Sequence, residues 1–357
     1  MRILIAGNWG WLQYEKAMAD ALLRFGHEVV PFSFKEYFQG IFGHFQSALP
    51  LPGPALLNLN RALRKKVRDT NPDVVLVWRG THLLPRTLRL MKAAGASTVS
   101  YNNDDPFGPL AHGNTPWHHR FLWRWYLKCL KDFDLNFFYR SVNVQEAVEF
   151  NARNVHVLMP YFIPELHHPV VLSETDRERF SCDVVFVGHH EPDGREEYLR
   201  DLVNAGVRVR LFGGAYWTKG VLGDLSSYFG DVFPVVGEDY VKALCGAKMC
   251  LAFLSKINRD TYTRRCFEIP ACGRLLLCER TDDLEKMFIE DEEAVFFSTR
   301  EELVEKALWL LGNPVKIQQI AEAGRKRVWA DGHDVENRAK QFIELVSESM
   351  MDSIRRG

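Results

Sequence analysis

An alternation that runs through the chain twice constrains its fold more than any other feature. Short apolar runs rich in β-branched residues punctuate the first half: RILIA (2–6), EVVPF (28–32), DVVLVW (73–78), STVSY (97–101), DLNFF (134–138) and VHVL (155–158). Runs of this kind, with no polar residue at every second place, mark parallel strands covered on both faces. Helical spacing fills the gaps. Residues 11–25 put Leu12, Ala19, Leu22 and Leu23 on one face before Gly26, and residues 54–70 run from Pro54 through a basic face of Arg61, Arg64, Lys65 and Arg68. Together these predict an α/β, doubly wound, Rossmann-like sheet.

The pattern lapses over 159–182, which carries three prolines. It restarts at DVVFVG (183–188) and continues with VRVRLFG (207–213), KMCLAFL (248–254), RLLLC (274–278) and AVFF (294–297). Helices are expected to start near Asp193, Glu238, Tyr262, Asp283 and Thr299, with long ones at 314–330 and 334–351. The expected organisation is a Rossmann-like domain over 1–165, a linker over 166–182, a second Rossmann-like domain over 183–335, and a terminal helix over 336–357 that packs back on the first domain. At 357 residues and about 150 per domain, two domains fit. Ligands of such sheets bind beyond the carboxyl ends of the strands at a topological switch point, so two domains face to face predict a central cleft.

Composition narrows the function classes. Apolar residues make up 46% and charged residues 25%, which excludes disordered and collagenous chains. The net charge of −1 argues against a nucleic-acid partner. The halves differ in sign: 19 basic against 13 acidic side chains over 1–165, and 26 against 33 over 166–357. No apolar run nears the ~18–20 residues of a membrane span. The first apolar run is too short for a signal peptide, so a cytoplasmic location is expected. The seven cysteines include no C-x-x-C pair, and Cys245, Cys250, Cys266, Cys272 and Cys278 fall in apolar stretches, where buried free thiols are expected. The histidine pairs 118–119, 167–168 and 189–190 lack the spacing of a helical zinc motif, so no metal site is expected.

Three stretches carry candidate chemistry. Gly7-Asn8-Trp9-Gly10 after the first strand is not G-x-G-x-x-G, which excludes a nicotinamide fingerprint and leaves a tight turn or a phosphate contact. Asn103-Asp104-Asp105-Pro106 follows the fourth strand at its carboxyl end. Asp104 or Asp105 there suits a general base for an attacking hydroxyl, or an Asx-turn. The segment from Asp260 through Arg264, Arg265 and Glu268 to Gly273 combines forked cations suited to a diphosphate with carboxylates suited to sugar hydroxyls. A capped surface helix with an Arg–Glu pair is the alternative.

Arg265-Cys-Phe-Glu268-Ile-Pro-Ala-Cys-Gly273, followed by Leu-Leu-Leu-Cys-Glu279, resembles the donor segment of GT-B glycosyltransferases of the group 1 type, and most of all the CgeB-like spore-maturation proteins. Glu301-Glu302-Leu303, the stretch from Ile320 to Arg325, and His333 with Arg338 resemble that family's closing helices. The resemblance covers about residues 183–345. It implies a nucleotide-sugar donor site in the C-terminal domain and an acceptor site in the N-terminal one. Asp260 stands where the family's E-x7-E motif has its first Glu, implying contact with the donor sugar, and Glu268 stands at the second, implying contact with the ribose. Arg265 matches the family's arginine; Arg264 has no clear match and is expected at solvent. Gly188 and Arg195 sit where the family meets the donor phosphates, with Lys256 as a further phosphate candidate. Gly213 and Trp217 resemble a strand-end glycine and a tryptophan near the base, where the ring stacks or merely packs.

The implied activity is transfer of a sugar from a UDP-, GDP- or dTDP-linked donor to a hydroxyl, by a hexosyltransferase-type enzyme without cofactor or metal, with retention. The acceptor is a carbohydrate, a lipid-linked molecule or a protein. A nucleotide-sugar 2-epimerase and a non-catalytic sugar-nucleotide-binding protein are the alternatives. Residues 118–131 mix aromatic with basic side chains. They are read as a helix burying Phe121, Leu122, Trp125 and Cys129 under its own sheet, with peripheral contact at the inner membrane face as the alternative.

Overall fold

The computed structural model describes residues 1–108 and 117–356. All eleven expected strands form, within a residue or two of their expected ends: β1 (Arg2–Gly7), β2 (Glu28–Ser33), β3 (Val74–Trp78), β4 (Ser97–Asn102), β5 (Leu135–Phe138), β6 (Val155–Val157), β7 (Cys182–Val187), β8 (Val209–Phe212), β9 (Ala247–Ala252), β10 (Leu275–Glu279) and β11 (Val295–Phe297). They build two sheets in which every pairing is parallel, ordered β2-β1-β3-β4-β5-β6 and β11-β10-β9-β7-β8. Every residue of β3, β5 and β7 is buried. That explains why these strands read as unbroken apolar runs.

The chain divides into two compact units, Met1–Pro160 with Val335–Gly357, and Tyr161–Asp334. In the first, the order reverses between β1 and β3; in the second, between β7 and β9. These are the switch points where a ligand of a doubly wound sheet belongs. The terminal helix Val335–Arg356 belongs to the first unit. Its Phe342 packs against Phe137 of β5, and its Glu336 pairs with Arg24 of the helix Ala17–Arg24.

Two stretches depart from expectation. The proline-bearing 166–182 holds a helix, Glu174–Phe180, started by a capping box between Ser173 and Asp176. The helix expected from Tyr262 begins only at Arg265 and runs seven residues to Ala271, because Pro270 stands in its last turn and Gly273, at φ +67°, turns the chain into β10. The helix Trp117–Cys129 buries Trp123, Tyr126 and Cys129 against the first unit's core. Of the expected face, Cys129 is buried and Leu122 and Trp125 pack against that core, while Phe121 departs from it at 43% exposed. All seven cysteines are free and buried. Among the described residues, no helix is long and apolar enough to cross a membrane.

Candidate functional site

In the second unit, β7 delivers Gly188 to the switch point. The Gly188 amide donates to the Phe212 carbonyl at 2.8 Å, tying the ends of β7 and β8 together. Gly213 then passes so close to the Gly188 carbonyl that a side chain on it has no room. A Cβ on Gly188 would stand 2.6 Å from the Phe186 ring and 2.8 Å from Nη2 of Arg265. Both positions are therefore glycine for closeness of approach rather than for backbone angle. Arg265 lies over the Phe186 ring, and its Nε is buried with no hydrogen-bond partner. A buried guanidinium donor of this kind, at the carboxyl end of a parallel sheet, is open to an anion.

The other expected donor residues surround this point in different states. Trp217 is 5% exposed and its indole N–H donates to the Gly188 carbonyl at 2.8 Å. In this structure it packs, edge to face with Phe186 and His190. Arg195 is 2% exposed. It donates to both oxygens of Asp193 and to the His189 carbonyl. The expectation of a phosphate contact is corrected for Arg195, which staples the loop 189–195 instead. After β9, Asp260 and Ser255 close a loop by a backbone bond of 2.9 Å and a side-chain bond of 3.4 Å. The Ser255 hydroxyl donates to Glu191 at 2.8 Å, linking that loop to the one after β7. Burial pushes the Glu191 carboxyl up, but bonds from His189 and Ser255 and the Arg195 charge outweigh it and hold it below the ordinary carboxylate range. Lys256 pairs with Glu279 at 2.8 Å and is mostly exposed.

Glu268 stands apart. Its side chain is fully buried. Arg264 pairs with it at 2.9 Å and the Tyr240 hydroxyl donates to it at 2.6 Å. Burial alone would raise its pKa, yet the Arg264 charge and the Tyr240 hydrogen bond lower it below the ordinary carboxylate range. His167, 3.8 Å away, is pushed down to about 4 by burial and is neutral at pH 7. The chain's own groups surround this carboxylate, yet its Oε1 is buried without a hydrogen bond. Arg264, expected at solvent, is its partner.

In the first unit, a cavity of about 320 Å³ opens at the carboxyl ends of β1, β3 and β4, lined by Asn8, Tyr14, Glu15, Trp78, Arg79 and Asp104 among others. The Gly7–Gly10 turn offers no free phosphate cradle, because Oε1 of Glu15 already accepts from the Asn8 amide at 2.7 Å. Glu15 sits in an irregular turn, Leu12–Lys16, and burial raises its carboxyl above the ordinary range. Arg79 follows β3 in left-handed backbone (φ +64°) and pairs with Asp104 at 2.6 Å. The two adjacent aspartates separate. Asp104 faces the cavity. Asp105 is buried and accepts from the amides of Phe107 and Gly108 and from Asn143. A catalytic role for Asp105 is thereby corrected to an Asx-turn.

Sequence reasoning missed Glu15, Arg79, Glu191 and Tyr240. Arg79, directly after the third strand, was the one with a signal, since strand ends at the switch point carry ligand contacts.

Solved structures share this architecture over nearly the whole chain. Sucrose-phosphate synthase from Thermosynechococcus elongatus superposes with a TM-score of 0.72 at 12% identity, covering 99% of this chain and 100% of that one. HepE from Anabaena, in complex with UDP-glucose, gives 0.67 at 13%, covering 98% and 100%. A glycosyltransferase from Rickettsia africae gives 0.68 at 12%, covering 98% of each. The chain has the GT-B fold. Residues 195–344 of this GT-B chain match the family model described as Glycosyl transferase-like, which places the likeness on the second unit and the start of the terminal helix. No curated protein sequence matches the chain.

Proposed function

We propose that the protein is a GT-B glycosyltransferase: its second unit holds a nucleotide-activated sugar and its first unit holds the acceptor. The observation that carries this reading is the unpaired Nε of Arg265, buried beside the Gly188 that follows β7. A diphosphate there would meet a forked cation and the backbone of Gly188 without a side chain in between. The match of residues 195–344 to a glycosyltransferase-like family, and the UDP-glucose complex of a protein of the same fold, support a nucleotide sugar as the ligand.

In the reaction, the acceptor oxygen bonds to the sugar's anomeric carbon, the bond to the diphosphate breaks, and the hydroxyl proton passes to the departing diphosphate oxygen. Arg265 meets the charge on the departing diphosphate. Asp104, held by Arg79 at the cavity wall, orients the acceptor hydroxyl. The cavity's aromatic rings and carboxylates fit a carbohydrate ring, and an acceptor cavity favours transfer over 2-epimerisation, which needs none. Metal independence, retention, the hexosyl class and kinship with the CgeB-like proteins are part of the proposal. So is peripheral membrane contact through the basic, aromatic helix Trp117–Cys129, with a lipid-linked acceptor.

The test is a panel of UDP-, GDP- and dTDP-sugars with wild type and Arg265→Gln. Release of nucleoside diphosphate by wild type, and a 10- to 150-fold weaker nucleotide affinity in the variant, on the order expected for a charged hydrogen bond, are the outcomes expected. Equal affinity in a folded Arg265→Gln overturns the donor assignment.

A further inference from the structure

A second cavity, of about 580 Å³, lies in the second unit at the opposite ends of its strands. Lys248 is the second residue of β9 and Arg274 directly precedes β10, so both stand at the amino edge of the sheet. Five residues of β10 separate this edge from the carboxyl ends. At ~3.3 Å per residue that is about 16 Å, beyond the reach of a diphosphate bound at Gly188. Three cationic side chains line the cavity: Lys248, Arg274 and Arg325. Lys248 is committed to Asp183 at 2.8 Å. Among the described residues, no carboxylate pairs with Arg274 or Arg325. The Cys245 thiol bonds to Arg274 and Cys250 lies near it, while the Arg274 Nε is buried without a hydrogen bond. The cavity's one acid, Glu322, turns to Lys326.

The shape is fixed as well as the charge. Gly273, at φ +67°, brings the backbone under Pro169 and the Arg325 stem, where a Cβ would lie 3.1 Å from the proline ring. Pro169, Ile317 and Ala321 give the cavity an apolar wall. A concave site with an apolar wall and two guanidiniums that no carboxylate pairs has the chemistry of an organic phosphate: forked donors for the dianion, an apolar face for the body that carries it.

The geometry points to a second ligand site in this unit, at the amino edge of β9 and β10, that binds a phosphate monoester with an apolar body through Arg274 and Arg325. The site is independent of the donor assignment, and its test separates the two. Phenyl phosphate and inorganic phosphate are titrated calorimetrically into the full chain, as wild type, as Arg274→Gln/Arg325→Gln and as Arg265→Gln. Phenyl phosphate is expected to bind wild type about tenfold or more tightly than inorganic phosphate, to lose about tenfold or more in the double variant, and to bind Arg265→Gln unchanged. Gln318→Trp, which fills the cavity from the helix Pro314–Ala330 and leaves both cations in place, is expected to weaken it likewise and serves where the double variant fails to fold. No binding to wild type, undiminished binding to both cavity variants, or loss in Arg265→Gln alone overturns the site.

Discussion

Arg265 and Gly188 are in contact because one of them has no side chain: the guanidinium occupies the space in which a Gly188 Cβ would lie 2.8 Å away. The contact joins the start of a short helix to the end of β7 and fixes a cation at the switch point of the second sheet. A methyl group at residue 188 must displace either Arg265 or the Phe186 ring. Gly188→Ala is therefore expected to cost about 1–3 kcal/mol of stability, as overpacking does, and to weaken nucleotide binding along with it. Thermal unfolding and calorimetry on the same variant check both. Unchanged nucleotide affinity would dissociate the glycine from the ligand.

The aspartate pair after β4 separates a stability effect from a rate effect. Asp105→Asn keeps an oxygen for the Phe107 and Gly108 amides but loses the charge and faces the Asn143 amide less well, so a loss of about 1–3 kcal/mol in stability is expected. Transfer per folded molecule stays the same. Asp104→Asn releases Arg79 at the cavity wall. It is expected to lower transfer by roughly 10²–10⁴ if the carboxylate takes the proton, and less if it only orients the acceptor, with nucleotide affinity unchanged. Rates normalised to folded protein, with nucleotide titrations, decide it. Transfer by Asp104→Asn at the wild-type rate removes the residue from the reaction.

What the sequence displayed and what it hid follow from how far apart the interacting residues lie. Parallel strands advertise themselves, since burial on both faces demands apolar residues at consecutive positions, as in VVLVW of β3 and CDVVFV of β7. The neighbours of Glu268 could not be read, because Tyr240 and His167 reach it from distant parts of the chain and leave no spacing to recognise. Arg195 carried a signal in the sequence: Glu191 and Asp193 lie four and two residues before it, which is the pattern of a self-stapled loop. Glu15 was hidden by an irregular turn that breaks helical periodicity around it.

Metal dependence is a direct check on the donor site. In the proposed donor site, Arg265 beside Gly188 would meet the diphosphate's charge with protein groups. Turnover is expected to continue in EDTA at the rate seen with added magnesium or manganese. Restoration by either ion after loss in EDTA overturns the proposed mode of phosphate binding.

Acid stability gives a prediction free of any assumption about substrate. His82 and His167 are each buried, one in each unit, and burial lowers both from 6.5 to about 4. His82 has Thr81 Oγ1 and the Ser47 carbonyl as hydrogen-bond partners, and the folded state holds the ring neutral. In the unfolded chain the same imidazole takes up a proton near pH 6.5. The unfolded state therefore binds more protons than the folded state between these values, and stability must fall as pH drops from about 6.5 towards 4. The full contribution is present above pH 6.5, and on the order of 3 kcal/mol per histidine is lost by pH 4. His82→Gln cannot titrate, so it starts less stable at neutral pH but declines less steeply over that window. Urea unfolding at pH 7, 6, 5 and 4 on wild type and His82→Gln measures the two slopes. Parallel slopes would mean that His82 is protonated as easily in the folded protein as in the unfolded chain.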